Sequence, residues 1–248
     1  MILKRLLQLR KRQKMAKQLG IKFKRCKNFV VPENIILNGI KTRINLPKED
    51  SAIKVIFIEL LDDCYGCQEL EKGSKPINKI VDIGANVGLF GIIARSVFPK
   101  AVIHAYEPNP HIEQYLKTQA QSATFKYFME AVGLENGKVK LNIHDNIAAT
   151  RSQVDEKGNI SQVAFRKTIE RIGGAADLVK MDCEGAEWKI LQDYETWQSV
   201  SNLSLEYHLW SENHTHDEVR DIIQNLGFVI KQQTPISNNC GILLTGRY

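Results

Sequence analysis

From Ile77 onward, short apolar runs alternate with amphipathic stretches of helix length. Ile77–Ile83, Ala101–Tyr106, Thr124–Met129, Leu178–Met181 and Leu203–His208 read as buried strands, being short, continuous and apolar. Between them, Leu89–Phe98, Pro110–Gln121, Phe165–Ile172, Ala186–Gln192 and Thr215–Leu226 read as helices. Pro99 and Gly173–Gly174 supply stops, and Thr215 with Glu218 supplies a capping box. Lys138–Ile143 adds a short strand after the turn Glu135–Asn136–Gly137. This alternation predicts an α/β protein with a mostly parallel, doubly wound sheet. Gly227–Lys231 and Gly241–Thr245 have no helix between them, which predicts an antiparallel C-terminal strand at one edge. The polar stretch His144–Val163 reads as an irregular loop over a site.

The pattern upstream is less regular. Ile2, Leu3, Leu6, Leu7 and Leu9, set among Lys and Arg, predict a basic, partly amphipathic helix that stops at Gly20. Asn38–Gly39 between Ile35–Leu37 and Ile40–Ile44 is a hairpin signal. Ser51–Leu61 is apolar and short enough for either strand or helix, and Asp62–Gly66 reads as a turn. The chain thus divides into a basic arm (1–27), a substrate- or cofactor-capping region (28–76) and a main domain (77–248).

Charge changes this picture in one place. The 248 residues carry a net charge of +6, yet Lys4 to Lys27 alone hold 11 cations and no acid. The remainder is therefore net acidic, which argues against a general nucleic-acid-binding surface. A basic helix over residues 2–19 either lies peripherally on an anionic membrane face or docks its leucines on the body. No apolar run approaches the ~20 residues that span a bilayer, and Met1–Gly20 lacks a signal-peptide h-region. A cytoplasmic location follows as the expectation, with peripheral contact at the inner membrane face through the basic helix. Five cysteines do not suggest a disulfide framework, and Cys64–Cys67 lacks the second pair of a structural zinc site. No metal is expected.

The chemistry concentrates at predicted strand ends. The first buried strand runs into Asp82–Ile83–Gly84–Ala85–Asn86–Val87–Gly88 and then a helix. Glycines let the backbone turn sharply and approach a ligand, and a helix start offers free N–H groups. The Gly-x-x-x-Gly spacing differs from the GxGxxG of dinucleotide enzymes. Glu107, 23 positions after Gly84, ends the next strand, where a carboxylate accepts hydrogen bonds from ribose hydroxyls. Later strand ends supply Asp182, Cys183, Glu184 and Glu187, then Glu206, His208 and Trp210.

VDIGANVG, YEPNP and VKMDCEGAEW, in that order, resemble the FkbM family of methyltransferases from about Lys79 onward. The resemblance implies a Rossmann-like class I methyltransferase fold with a seven-stranded sheet, and S-adenosylmethionine as methyl donor. It implies that Asp82, Gly84, Ala85, Asn86 and Gly88 border the methionine moiety, Glu107 and Pro108 the ribose, and Glu130–Ala131 the adenine. Tyr65 falls where family members often carry a Tyr that closes over the cofactor. The implied acceptor is a hydroxyl of a sugar, glycan precursor or related small metabolite. Transfer to oxygen needs alignment and a base; His208 or Asp182 fits the base, Glu184 and Glu206 the acceptor's hydroxyls, and Trp210 the acceptor wall. Asp182, Glu184, Glu206 and His208 also suit a divalent cation, though no ligand spacing demands one. Glu187 faces a helix start, in a structural or a functional role. His214 and His216 read as a solvated helix start, His104 as a packed strand residue, and Trp188 and Trp197 as core. Competing readings are a nucleic-acid methyltransferase, disfavoured by the missing Asn/Asp-Pro-Pro-aromatic motif, a non-catalytic cofactor-binding module and an NAD-dependent oxidoreductase. Oligomeric state has no sequence signal.

Overall fold

A computed structural model describes residues 2–23, 29–47, 51–142, 151–211 and 214–247. In chain order its first elements are α1 (Ile2–Gln18), β1 (Asn34–Leu37), β2 (Ile40–Arg43), α2 (Ser51–Leu61) and α3 (Cys67–Glu71). The β1–β2 hairpin turns at Asn38 and Gly39, both at positive φ (50° and 84°), as a tight hairpin requires. Ser51–Leu61 is a helix because its buried residues, Ile53, Phe57, Leu60 and Leu61, recur at helical spacing. Among the described side chains of α1, Met15, Ala16 and, just past its end, Leu19 are buried, whereas Leu6 and Leu9 stay exposed. The Arg12 guanidinium on Asp62 and Lys11, 3.7 Å from Asp63, fix the helix against the turn after α2.

The main sheet begins with β3 (Lys79–Ile83), α4 (Leu89–Val97), β4 (Val102–Tyr106), α5 (Glu113–Ala123) and β5 (Lys126–Phe128). A 3-10 turn, Pro110–Ile112, starts the stretch read as one helix, with Asn109 as its cap. There follow β6 (Ala131–Gly133), β7 (Gly137–Asn142), β8 (Arg151–Val154), β9 (Ile160–Ala164) and α6 (Phe165–Arg171). The chain continues through β10 (Leu178–Met181), α7 (Glu187–Ile190), α8 (Tyr194–Trp197), β11 (Asn202–His208), α9 (His216–Asn225), β12 (Val229–Ser237) and β13 (Cys240–Gly246). Thr215 caps α9 by accepting from the Glu218 amide at 3.1 Å.

Seven strands pair in the order β12-β13-β11-β10-β3-β4-β5. The five from β11 to β5 run parallel, and β13 lies antiparallel to both β11 and β12. This is the sheet expected of a class I methyltransferase fold. One hydrophobic cluster joins Met15, Leu19, Ile35 and Phe57 to Ile80, Ile92 and Leu116, so the N-terminal elements share the core of the sheet. A second cluster holds Phe165, Trp188, Trp197, Ile223 and Phe228 with Val179 and Leu205.

From Arg151 to Val163 the stretch read as an irregular loop forms strands instead. Residues 143–150 lie outside the described ones, but β8 and β9 follow and join β6 and β7 in a four-stranded sheet ordered β6-β9-β7-β8. Arg151–Val154 and Ile160–Ala164 carry Ser, Gln and Arg at strand positions, so their apolar alternation is weak, and pairing with β7 decides their structure.

Candidate functional site

Parallel pairing brings the carboxyl ends of β3, β4, β10 and β11 to one edge, where open sheets of this kind take ligands. A cavity there is walled on one side by Gly84–Val87, Glu107, Pro108 and Glu130–Val132, and on the other by Tyr65, Asp182–Glu184 and Glu206. Because β13 runs antiparallel, its first residues reach the same edge: Ile242 pairs with Glu206 and Cys240 with His208.

On the β3–β5 side the loop geometry explains its glycines. Gly84 has φ 76°, and a Cβ there would fall 1.7 Å from the carbonyl oxygen of Asp182. Gly88 has φ 83°, and a Cβ would press on Leu116 and Gln119 of α5. Both glycines thus serve packing between segments of the protein, and Gly84 lines the cavity as well. Glu107 is buried at 7% exposure; its Oε2 accepts the Asn86 amide at 2.9 Å and its Oε1 the Asn109 amide at 2.8 Å. Burial raises its carboxyl to about 7 against the lowering effect of those two amides. Each oxygen retains a lone pair for a further donor. Glu130 is held by the Arg171 guanidinium, which also lies 4.9 Å from the centre of the Phe128 ring. Asp82 and Gly88 are not on the cavity wall. Asp82 is fully buried beneath it, 3.3 Å from Lys180 Nζ.

The β10–β13 side is crowded with titratable groups. Tyr65 comes from the turn after α2, and its hydroxyl lies 3.0 Å from Asp182 Oδ2 and 2.9 Å from Glu206 Oε2. A phenol has one proton to donate, so one of these carboxyl groups must return a proton to it. Glu206 suits this, since burial and the charge of Asp182 raise it to about 7. Glu184 has φ 55°, and burial and the charge of Asp182 raise it to about 8. His208 is buried, with Nε2 3.7 Å from Glu184 and 4.0 Å from Glu206. Burial opposes its charge, but hydrogen bonds to Cys240 and Glu187 and the charges of Glu187 and Glu184 outweigh this and raise it to about 11. These partners favour the doubly protonated, cationic form of His208. Its ring lies behind the wall, covered by the Trp210 ring at 4.5 Å between centres. Trp210 itself, 39% exposed, packs on Gly185 outside the wall.

Two triads, Asp182–Glu184–His208 and Glu206–His208–Cys240, each have donor atoms within 4.8 Å of one another. They share His208, whose proton competes with a cation for the ring nitrogen. His214 and His216 are not a solvated pair: His214 stacks on Trp188 at 3.6 Å and His216 Nδ1 bonds the Tyr207 hydroxyl at 2.8 Å. Trp188 and Trp197 are core, and His104 is packed against Phe128.

Sequence reasoning missed Lys180. It lies inside the apolar strand Leu178–Met181, buried, where its ammonium donates to the Gly84 carbonyl at 2.6 Å and pairs with Asp82 at 3.3 Å and Asp182 at 3.7 Å. Burial works against its charge, and the carboxylates of Asp82, Asp182 and Glu206 raise it nonetheless. A lone lysine in a buried strand, paired in register with Asp82, was the available signal. Cys240, which donates from Sγ to Glu206 at 3.3 Å, was also missed, as were Ile56, Glu59 and Leu60 of α2 at the cavity.

The donor set fits S-adenosylmethionine: Glu107 has free lone pairs for a ribose, and carboxyl groups face the far end, where a sulfonium cation is favoured. Residues 82–230 match the methyltransferase FkbM domain family. The chain is 27% identical over 210 residues to methyltransferase sdnD of Sordaria araneosa, covering 68% of this chain and 79% of that one. It is 24% identical over 216 residues to 31-O-demethyl-FK506 methyltransferase FkbM of Streptomyces tacrolimicus, covering 71% and 81%. Among solved structures, the METTL16 methyltransferase domain superposes with a TM-score of 0.51 at 10% identity, over 83% of this chain and 73% of that one. The chain belongs to the FkbM methyltransferase family and is an S-adenosylmethionine-dependent methyltransferase.

Proposed function

We propose that the chain transfers a methyl group to a hydroxyl of a sugar, glycan or related small metabolite. The observation that carries this reading is the Tyr65–Asp182–Glu206 cluster on the wall of the cofactor cavity, which sets a carboxylate beside the place of transfer within a shared hydrogen-bond network. When bound, the cofactor supplies an electrophilic methyl group on a sulfonium. Glu107 and Pro108 would border the ribose, the backbone at Glu130–Ala131 the adenine end, and Gly84–Asn86 the methionine moiety. Asp182 takes the hydroxyl proton, and Glu184 and Glu206 hydrogen-bond neighbouring hydroxyls. The Streptomyces relative's name, a 31-O-demethyl-FK506 methyltransferase, supports transfer to oxygen. The test is transfer of labelled methyl from S-adenosylmethionine across a panel of sugars, glycans and hydroxylated metabolites. Labelled product on a hydroxyl, lost in Asp182→Asn, supports the reading; product only on nitrogen or carbon, or on RNA, overturns it.

We further propose that α1 touches an anionic membrane face. Its exposed Leu6 and Leu9 lie in an acid-free basic helix whose other end is anchored in the core. No described helix is long and apolar enough to cross a membrane. Deleting residues 1–20 would remove Met15 and Leu19 from the core, so the better test is Leu6→Glu with Leu9→Glu. Salt-sensitive sedimentation with phosphatidylglycerol vesicles, reduced in that variant, is expected; equal partition of both proteins refutes the contact.

A further inference from the structure

Glu187 is fully buried on α7, a helix of four residues, and its carboxylate meets four donors. Oε1 accepts the His208 backbone amide at 2.9 Å and lies 3.0 Å from His208 Nδ1. Oε2 accepts the Gly185 amide at 2.7 Å and the Cys183 thiol at 3.6 Å. A carboxylate can only accept, so Nδ1 of His208 must carry a proton. One side chain thereby ties the loop after β10, with its left-handed Glu184 and Gly185, to the end of β11. It also fixes the imidazole so that Nε2 faces Glu184 and Glu206.

We propose that Glu187 is a positioning residue that clamps His208 as a fixed cation behind the acceptor carboxyl groups, so that His208 serves as a stationary charge and not as the base. The geometry excludes the alternative use on two counts. Trp210 covers the ring on the outer side, and the cavity wall is formed by Glu184 and Glu206 in front of it. The groups facing His208 are Glu187 from α7, Asp182 and Glu184 from the end of β10 and the loop after it, Glu206 from β11 and Cys240 from β13. Four of the five are carboxyl groups, and each favours the protonated ring when ionised. The same charge works in return on Glu184 and Glu206, lowering both against the effect of burial.

Only the catalytic consequence rests on the acceptor reading above; the clamp itself is testable without an acceptor. The experiment is a pH titration of the histidine ring nitrogens by NMR on the intact protein, with His208 assigned from the signal missing in His208→Gln. In the wild type the His208 ring stays protonated well above pH 6.5, where an unperturbed imidazole titrates. In Glu187→Gln its proton affinity falls by about ten- to a thousand-fold, the effect of removing one adjacent charge. Should Glu187→Gln fail to fold, the wild-type titration alone decides. A His208 that titrates near 6.5 in the wild type overturns the proposal, as does a folded Glu187→Gln with an unshifted His208.

Discussion

Between β3 and β5 the cavity wall is mostly apolar or glycine-bearing, with Glu107 as its buried carboxyl group, held by amides at 2.8 and 2.9 Å. Between β10 and β13 the wall brings Tyr65, Lys180, Asp182, Glu184 and Glu206 together, with His208 and Cys240 directly behind. The first side can bind a neutral, hydroxyl-bearing ligand with little cost, since its dipoles are already placed. The second side stores charge in carboxyl groups raised to about 7 and 8, poised to exchange protons near neutrality. Binding and proton handling are thus divided between the two walls of one cavity.

That division can be broken from either side. The largest expected effect is on Asp182→Asn: methyl transfer falls by roughly 10²–10⁴-fold, while S-adenosylhomocysteine binding measured by calorimetry stays within a few-fold of wild type. Lys180→Met leaves Asp82 buried without its ion pair and lowers stability by about 3–5 kcal/mol, read by denaturant unfolding. Adding Asp82→Asn restores part of that loss, because the uncompensated charge is gone. Glu107→Gln weakens S-adenosylhomocysteine binding by about tenfold. Its pH dependence sharpens the contrast. Ribose hydroxyls donate to the ionised carboxylate, and the carboxyl is raised to about 7, so wild-type affinity falls as pH drops through 7. The variant shows no such fall. The smallest effect is Tyr65→Phe, which removes one shared proton and lowers turnover by about three- to tenfold without changing cofactor affinity.

The same contrast explains what the sequence could reveal. The β3–β5 wall is local: strand, glycine turn, helix and Glu107 follow one another within a short span, and each has its own signal. Leu178–Met181 was readable to the residue because it is a continuous buried run. The β10–β13 wall joins Tyr65 to partners 117 and 141 positions away, and no local pattern encodes that distance. Lys180 was hidden by the strand around it, since alternation rules treat its neighbours as core and pass over the charge. The strands β8 and β9 were hidden for the reverse reason: their polar residues resemble a loop until β7 pairs with them. His214 and His216 looked solvated beside a cap, yet Trp188 and Tyr207, distant in sequence, supply their contacts.

The contact between Gly84 and the Asp182 carbonyl also bears on reaction order. With no room for even one carbon between them, the two loops meet backbone to backbone. If settling the first loop around its ligand also settles the second, binding follows a compulsory sequence with the donor entering before the acceptor. Steady-state product inhibition then has S-adenosylhomocysteine competing with the donor and acting noncompetitively toward the acceptor.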